Sequence, residues 1–266
     1  MNTKLIFFDI DGTLITEGHD HYAPESTLKA LTLLRQNGHI CLINTGRPYA
    51  ALDAVIRSIP VDGYVCGCGT YIRMGDDILF SYHLEKELCR KILVALDSCG
   101  IEWMLENDDG IYCSANGYKS RIASSIESFQ NKLPQSLRFI TPEDYPNVQF
   151  EKFLVVLTPD ADFETFRSLF QNDLTFIDRG HAVFEIIPQA YSKATGMKFM
   201  EAHFGIDHKD TIAVGDSTND VAMLEYAHLS ILMGGAEKSL LQYADYVTTP
   251  VAEDGIFNAF RHYQMI

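Results

Sequence analysis

Positive charge is scarce in this 266-residue chain: 21 lysines and arginines face 36 aspartates and glutamates, a net charge of −15 at pH 7. Proteins that bind nucleic acid or anionic membranes neutralise phosphates with basic stripes, so no nucleic-acid or membrane partner is expected. A small phosphorylated substrate stays compatible with this charge if a metal ion supplies local positive charge. Long apolar runs are absent too. Only Leu5 to Phe8 are apolar between Lys4 and Asp9, short of the roughly 7–15 residues of a secretory signal. No stretch nears the roughly 18 apolar residues of a membrane span. A cytoplasmic location is the expectation. Metal-binding cysteine spacing is also missing, because Cys66 and Cys68 form one C-x-C pair with no second pair and no nearby histidine. Those two, with Cys41, Cys89, Cys99 and Cys113, read as buried free thiols in a reducing compartment.

What is present is an alternation of short apolar runs and amphipathic stretches. Lys4–Asp9 reads as a buried strand, Glu25–Asn37 as a helix stopped by Gly38, and His39–Asn44 as a second strand. Pro48 opens a predicted helix through Ile59, Asp62–Gly67 is a third strand, and a hairpin follows before Tyr82. After Lys193 the order resumes as helix Lys193–Phe204, strand Thr211–Val214, helix Thr218–Tyr226, strand Leu229–Met233, helix Glu237–Tyr243, strand Asp245–Thr248 and helix Glu253–Tyr263. Strands alternating with helices imply a parallel sheet with helices on both faces. The middle differs: a helix and a strand pair occur twice, which marks a separate α+β domain. The predicted fold is therefore α/β, a Rossmann-like doubly wound parallel sheet core with an inserted α+β domain. The predicted limits are 1–84 for the first part of the core, 85–185 for the insertion and 186–266 for the second part.

The chemistry-bearing residues gather where predicted strands end. Asp9-Ile10-Asp11-Gly12-Thr13 follows the first strand, at the sheet edge where open α/β folds collect ligands. Two carboxylates two residues apart suit a division of labour, one attacking or holding a metal while the other moves a proton. A calcium loop is excluded, since Gly12 stands fourth rather than sixth from Asp9. Asn44-Thr45-Gly46-Arg47-Pro48 places a hydroxyl and free N–H groups before a predicted helix, an anion site by construction. Gly215-Asp216-Ser217-Thr218-Asn219-Asp220 adds a third strand-end carboxylate, and Lys193 opens a helix. Singly, each also has a plainer reading, as a capping or acidic turn or as a solvated side chain. Together they supply a nucleophile, an acid–base, a hydroxyl donor, a cation and a metal ligand.

These segments resemble the haloacid dehalogenase superfamily. Asp9-Ile10-Asp11-Gly12-Thr13-Leu14 is similar to its first motif, Asn44-Thr45-Gly46-Arg47 to its second, Lys193 to its third and Gly215–Asp220 to its fourth. The fourth, with Met223 behind it, looks like the Cof-type phosphatases, whose C2-type α/β cap is inserted between the second and third motifs. More than a hundred residues separate Thr45 from Lys193 here, and only about two dozen separate Lys193 from Asp216. The resemblance implies a Mg²⁺-dependent phosphatase of small phosphorylated metabolites, sugar phosphates or similar. It implies attack by Asp9 to give an aspartyl phosphate, with Asp11 as acid and then base. It also implies Mg²⁺ on the Asp9 carboxylate, the Asp11 backbone carbonyl and Asp216, with Asp220 in support. Thr45, Gly46, Lys193, Asn219 and the backbone near Ile10 would bind the phosphate. One departure stands out: Cys68-Gly69-Thr70 occupies the place where relatives often have Asn-Gly-Ala.

Two other readings stay open from sequence: a phosphomutase of the same superfamily, and a receiver-like module that only accepts phosphate. The oligomeric expectation is monomer or homodimer. Within the insertion, Glu102, Glu106, Lys152 and Glu185 alternate with apolar neighbours along predicted strands. They are expected to share a face without covering helices and to choose the substrate by hydrogen bonding.

Overall fold

Leu5–Phe8 has no polar residue and no exposed one, as expected of a strand buried on both faces of a parallel sheet. The structure is a computed structural model that describes residues 2–16, 18 and 22–266. In chain order it begins with β1 (Leu5–Phe8), α1 (Glu25–Gln36), β2 (Ile40–Asn44), α2 (Ala54–Arg57), β3 (Gly63–Cys66), β4 (Tyr71–Met74) and β5 (Asp77–Ser81). The insertion holds α3 (Lys86–Ser98), β6 (Glu102–Asn107), β7 (Gly110–Ser114), α4 (Ile122–Lys132), β8 (Leu137–Ile140), β9 (Lys152–Val156), α5 (Phe163–Phe170), β10 (Leu174–Asp178) and β11 (Val183–Pro188). The chain ends with α6 (Lys193–Phe204), β12 (Thr211–Gly215), α7 (Val221–Tyr226), β13 (Leu229–Leu232), β14 (Tyr246–Val247) and α8 (Gly255–His262).

Two compact units result, one of Met1–Gly46, Ala54–Phe80 and Ser192–Ile266, the other of Arg47–Asp53 and Ser81–Tyr191. The sequence put the limits of the insertion at 85 and 185. The latter falls inside β11, which antiparallel pairing with β10 carries on to Pro188. The short Arg47–Asp53 segment also groups with the insertion. The Ala50 carbonyl accepts a hydrogen bond from Ser136 Oγ at 2.8 Å, and Ala51 packs with Met104 and Ile111.

The sheet of the first unit has the order β14-β13-β12-β1-β2-β3-β4-β5. It is parallel from β14 to β3 and turns antiparallel at the β3/β4 pair. Alternation along β1 feeds two cores. Leu5 and Phe7 join Met197, Met200 and Met223 of α6 and α7, while Phe8 packs against Phe260 of α8 with ring centroids 5.7 Å apart. This is the doubly wound arrangement expected from the alternating pattern.

Three helical expectations differ in detail. The helix predicted from Pro48 to Ile59 breaks into a 3₁₀ turn at Tyr49–Ala51 and the four-residue α2. Ala51, Leu52 and Asp53 are all buried, and no helix buries three successive residues on one stripe. The stretches predicted as helices at Thr218–Tyr226 and Glu237–Tyr243 contain 3₁₀ turns at Thr218–Asp220 and Lys238–Tyr243. The sheet of the second unit, β10-β11-β9-β6-β7-β8, includes an edge strand, β8, that the sequence did not announce. Its middle residues Arg138 and Phe139 are both exposed, so it lacks the alternation of a half-buried strand.

In the second unit, Trp103, Leu105, Phe153, Val155 and Ile186 form one apolar core with α3 and α5. The opposite face, expected to be free of helices, is partly covered: Ile122 and Ile126 of α4 pack with Met104 and Val156. The i, i+4 pair on α4 is enough to seat it there. On that face Lys152 Nζ bridges two carboxylates, lying 2.9 Å from Glu185 Oε1 and in contact with Glu106. All three side chains are buried. Arg179 Nη1 stands 3.9 Å from Glu185 Oε2. Burial pushes the Glu106 carboxyl up, opposed by the nearby Lys152 charge. Glu102 is used differently, accepting from the backbone N–H of Lys119 at 2.7 Å and of Ser120 at 2.9 Å.

Removing the cation from a buried triad leaves uncompensated carboxylates. Lys152→Met should therefore cost about 3–5 kcal/mol in urea denaturation. The double replacement Lys152→Met with Glu185→Leu should recover part of that loss, since the one remaining carboxyl can take up a proton. A single replacement without measurable cost would show that the triad does not hold this unit together.

Candidate active site

Parallel strands deliver their carboxyl ends to one edge of the sheet, and β1, β2 and β12 are adjacent there. Asp9 follows β1 directly, and its N–H continues the ladder to the Val214 carbonyl at 3.0 Å. Asp216 follows β12, and Thr45 follows β2. Lys193 is the first residue of α6, whose start is fixed by Ser192 Oγ accepting from the Thr195 N–H at 3.3 Å. Asn44, buried at the end of β2, donates through Nδ2 to the Lys193 carbonyl at 3.0 Å and so ties α6 to the strand edge.

The centre is a buried ion cluster. Lys193 Nζ lies 2.5 Å from Asp9 Oδ1 and 2.5 Å from Asp220 Oδ1. Asp220 Oδ2 accepts from the backbone N–H groups of Asp216 at 2.9 Å and Ser217 at 3.0 Å. Asp216 Oδ1 accepts from Thr13 Oγ1 at 3.0 Å. Oxygens of Asp9, Asp216 and Asp220 lie within 4.8 Å of one another. Two glycines make the room. Gly12, at φ +75°, would with a Cβ come 2.4 Å from Asp216 Oδ2, and a Cβ on Gly215 would stand 2.6 Å from the Asp220 carboxyl. Positive φ and missing space both require glycine at position 12.

Charge and burial work against each other here. Burial, with repulsion from Asp220, pushes the Asp9 carboxyl up to about 7 although Lys193 pulls it down. Burial, with repulsion from Asp9 and Asp220, pushes Asp216 up to about 8. Lys193 is held in its charged form by Asp220 and Asp9 in spite of its burial. Three carboxylates and one ammonium leave an excess of negative charge in a buried place. All-oxygen donors with that excess fit a hard divalent cation.

Of the residues singled out from sequence, Asp9, Lys193, Asp216 and Asp220 come together in this cluster. Asp11 is half-buried and stands outside the group of three carboxylates. The Ile10 carbonyl accepts from the N–H groups of Thr13, Leu14 and Ile15, a tight turn that points the chain back at once. Thr45 is buried, with its N–H on the Val65 carbonyl at 2.9 Å. Asn219 Oδ1 accepts from Ser217 Oγ at 2.8 Å, and Gly46 is buried next to Thr45. Sequence reasoning passed over Thr13 and Asn44 as positioning residues, although both lie inside the motifs it quoted. Asp220, expected as support to the metal site, binds Lys193 and two backbone N–H groups.

Comparison with known proteins places the whole chain in a family. The family model for haloacid dehalogenase-like hydrolases matches residues 6–260. A 5-amino-6-(5-phospho-D-ribitylamino)uracil phosphatase of Bacillus subtilis, YitU, is 26% identical over 276 residues, covering 99% of each chain. The HMP-PP phosphatase of Cronobacter sakazakii is 27% identical, over 98% of this chain and 94% of its own. Among solved structures, the HAD subclass IIB sugar phosphatase BT4131 superposes with a TM-score of 0.86 at 25% identity, covering 99% of this chain and all of its own.

The raised carboxyls predict a pH signature. Asp9 and Asp216 bind protons in the folded protein at pH values where the unfolded chain, near 3.8, has already lost them. Stability in chelator should therefore fall as pH rises from about 4 to 8. Asp216→Asn should remove part of that fall and raise the melting temperature at the alkaline end. A divalent cation should stabilise more at pH about 8 than at about 6, where protons compete for its ligands. A melting temperature independent of pH in chelator would contradict the arrangement.

Proposed function

The chain belongs to the haloacid dehalogenase-like hydrolases and is a phosphatase of phosphorylated small molecules; we propose that it is Mg²⁺-dependent and works through an aspartyl phosphate on Asp9. The observation that carries this reading is Asp9 at the end of β1, clamped by Lys193 and faced by Asp216 and Asp220. In the proposed first step an Asp9 carboxylate oxygen attacks phosphorus, the P–O bond to the leaving alcohol breaks, and Asp11 gives that alcohol its proton. In the second step water attacks the same phosphorus while Asp11 takes its proton, and inorganic phosphate leaves with Asp9 restored. Mg²⁺ would be held by the Asp9 and Asp216 carboxylates and the Asp11 carbonyl, with Asp220 behind them. When bound, it would neutralise charge on the phosphoryl oxygens.

Lys193 carries the positive charge that lets a dianionic phosphate approach an aspartate. Thr45 and Asn219, with N–H groups near Ile10 and Gly46, are the proposed donors to the phosphoryl oxygens. The substrate class proposed is a phosphate monoester of a polyol or sugar. Two of the three relatives named above support it, one a phosphatase of a ribityl phosphate and one a sugar phosphatase. Within the inserted unit, Glu106, Lys152 and Glu185 remain the proposed choosers of the leaving group, while Glu102 is already engaged by the Lys119 and Ser120 N–H groups.

A panel of sugar, polyol and nucleoside phosphates, assayed for phosphate release with and without Mg²⁺, tests the proposal. Release of free phosphate separates hydrolysis from a mutase, which returns an isomerised ester. Activity should vanish in chelator and return with Mg²⁺. Asp9→Asn should abolish turnover, because an amide does not attack phosphorus. Asp11→Asn should be nearly inactive yet accumulate phosphorylated protein, seen by mass spectrometry. Wild-type turnover by Asp9→Asn would overturn the mechanism.

A further inference from the structure

A second group of metal-ligating side chains comes together among the described residues, and it shares none with the aspartate cluster: His83, Asp108 and Glu151. All three belong to the second unit. His83 stands between β5 and α3, Asp108 in the turn from β6 to β7, and Glu151 directly before β9. Backbone bonds hold these segments side by side. The Leu84 N–H donates to the Phe150 carbonyl at 3.0 Å, and the Glu151 N–H to the Glu106 carbonyl at 3.0 Å. Gln149 Nε2 adds a bond to the Leu84 carbonyl at 3.1 Å. The ligands are thus assembled by the fold itself.

Their spacing suits a metal ion. One ligand atom of each lies within 4.8 Å of the other two, and His83 Nε2 stands 3.3 Å from Asp108 Oδ1. Zn²⁺ at its usual distances from a histidine nitrogen and a carboxylate oxygen keeps the two roughly 3.3 Å apart at a tetrahedral angle. That pair already has the separation required. Glu151 is fully enclosed, whereas the His83 and Asp108 side chains are 32% and 25% exposed. The site therefore has a buried floor and a solvent-facing mouth. A bare ion, smaller than a water molecule, sits between the ligands and needs no cavity beside them, and water completes its shell from the open side.

Two further observations mark a place that favours positive charge. The hydrogen bond with Asp108 raises the His83 pKa despite partial burial, and the charges of Asp108, Glu151 and Asp109 add to this. Next to Asp108 in the chain, Asn107 is 7% exposed, and its Oδ1 is buried with no hydrogen-bond donor among the described residues. The donor set also selects the ion. An imidazole with two carboxylates suits Zn²⁺ and similar first-row ions, whereas Mg²⁺ prefers octahedral surroundings of oxygen and water.

We propose that His83, Asp108 and Glu151 form a second metal site, for a divalent first-row transition ion such as Zn²⁺, which pins the start of the insertion to the β6–β7 turn and to the start of β9. The proposal is independent of the phosphatase reading and uses none of its residues.

Zn²⁺ titration of the ¹⁵N-histidine-labelled protein tests it, with Mg²⁺ in excess to hold the aspartate cluster. The His83 ring signal, assigned by its loss in His83→Gln, should shift at Nε2 and saturate at one Zn²⁺ per chain. Zn²⁺ taken up by the aspartates would leave that signal unmoved, because His83 is no part of their cluster. Asp108→Asn, at a partly exposed side chain, should weaken binding about 10-fold or more, the scale on which even outer-shell changes act. It should leave Mg²⁺-dependent phosphate release unchanged. His83→Gln supplies a second reading: Zn²⁺ should raise the melting temperature of the wild type more than that of this variant. No His83 shift at millimolar Zn²⁺ overturns the proposal. So does binding that Asp108→Asn leaves as tight as before.

Discussion

Lys193 sits between Asp9 and Asp220 with its side chain fully enclosed, and the site is organised around that single ammonium. Without it, three carboxylates, those of Asp9 and Asp220 buried and that of Asp216 half-buried, would stand within 4.8 Å of one another, an arrangement that survives only by taking up protons. The ammonium must therefore be placed accurately, and several separate features do so. Ser192 starts α6, Asn44 ties the Lys193 carbonyl to β2, and Gly196 lets the helix lie against Val65, where a Cβ would stand 2.3 Å from Val65 Cγ1. The chain around the cluster is thus arranged for charge balance first and packing second.

The parallel sheet makes such placement economical in residues. Every strand ends at the same edge, so one residue past each end brings distant parts of the chain together. Asp9, Thr45 and Asp216 each stand one residue beyond a strand. The interior between those edges is filled by short side-chain alternation, and none of the six cysteines forms a disulfide. No helix of the described residues is long and apolar enough to cross a membrane.

How much of this was legible beforehand depended on whether a residue's neighbours were local. β1, α1, β2 and α6 follow from runs and caps contained in their own segments, and their limits lie within a residue or two of expectation. The acidic motifs were legible because strand ends converge whatever the intervening sequence. The Pro48–Ile59 stretch misled because burial of Leu52 and Asp53 is decided by partners elsewhere in the fold. β8 escaped notice because its exposed residues carry no period and only its pairing with β7 defines it.

The pairing of β1 with both β2 and β12 also sets an order of assembly. Leu5 is matched with Ile40 on one side and with Thr211 on the other. During synthesis, which proceeds from the amino end, the first strand gains one neighbour early and waits for most of the chain before the other emerges. The strands of the insertion, β6 to β11, find all their partners among themselves, so that sheet is complete while β1 still has an open side. An apolar strand left half-paired for so long is exposed to the wrong partners. The interval between the two pairings, more than the final stability, is where a nascent chain of this topology is vulnerable.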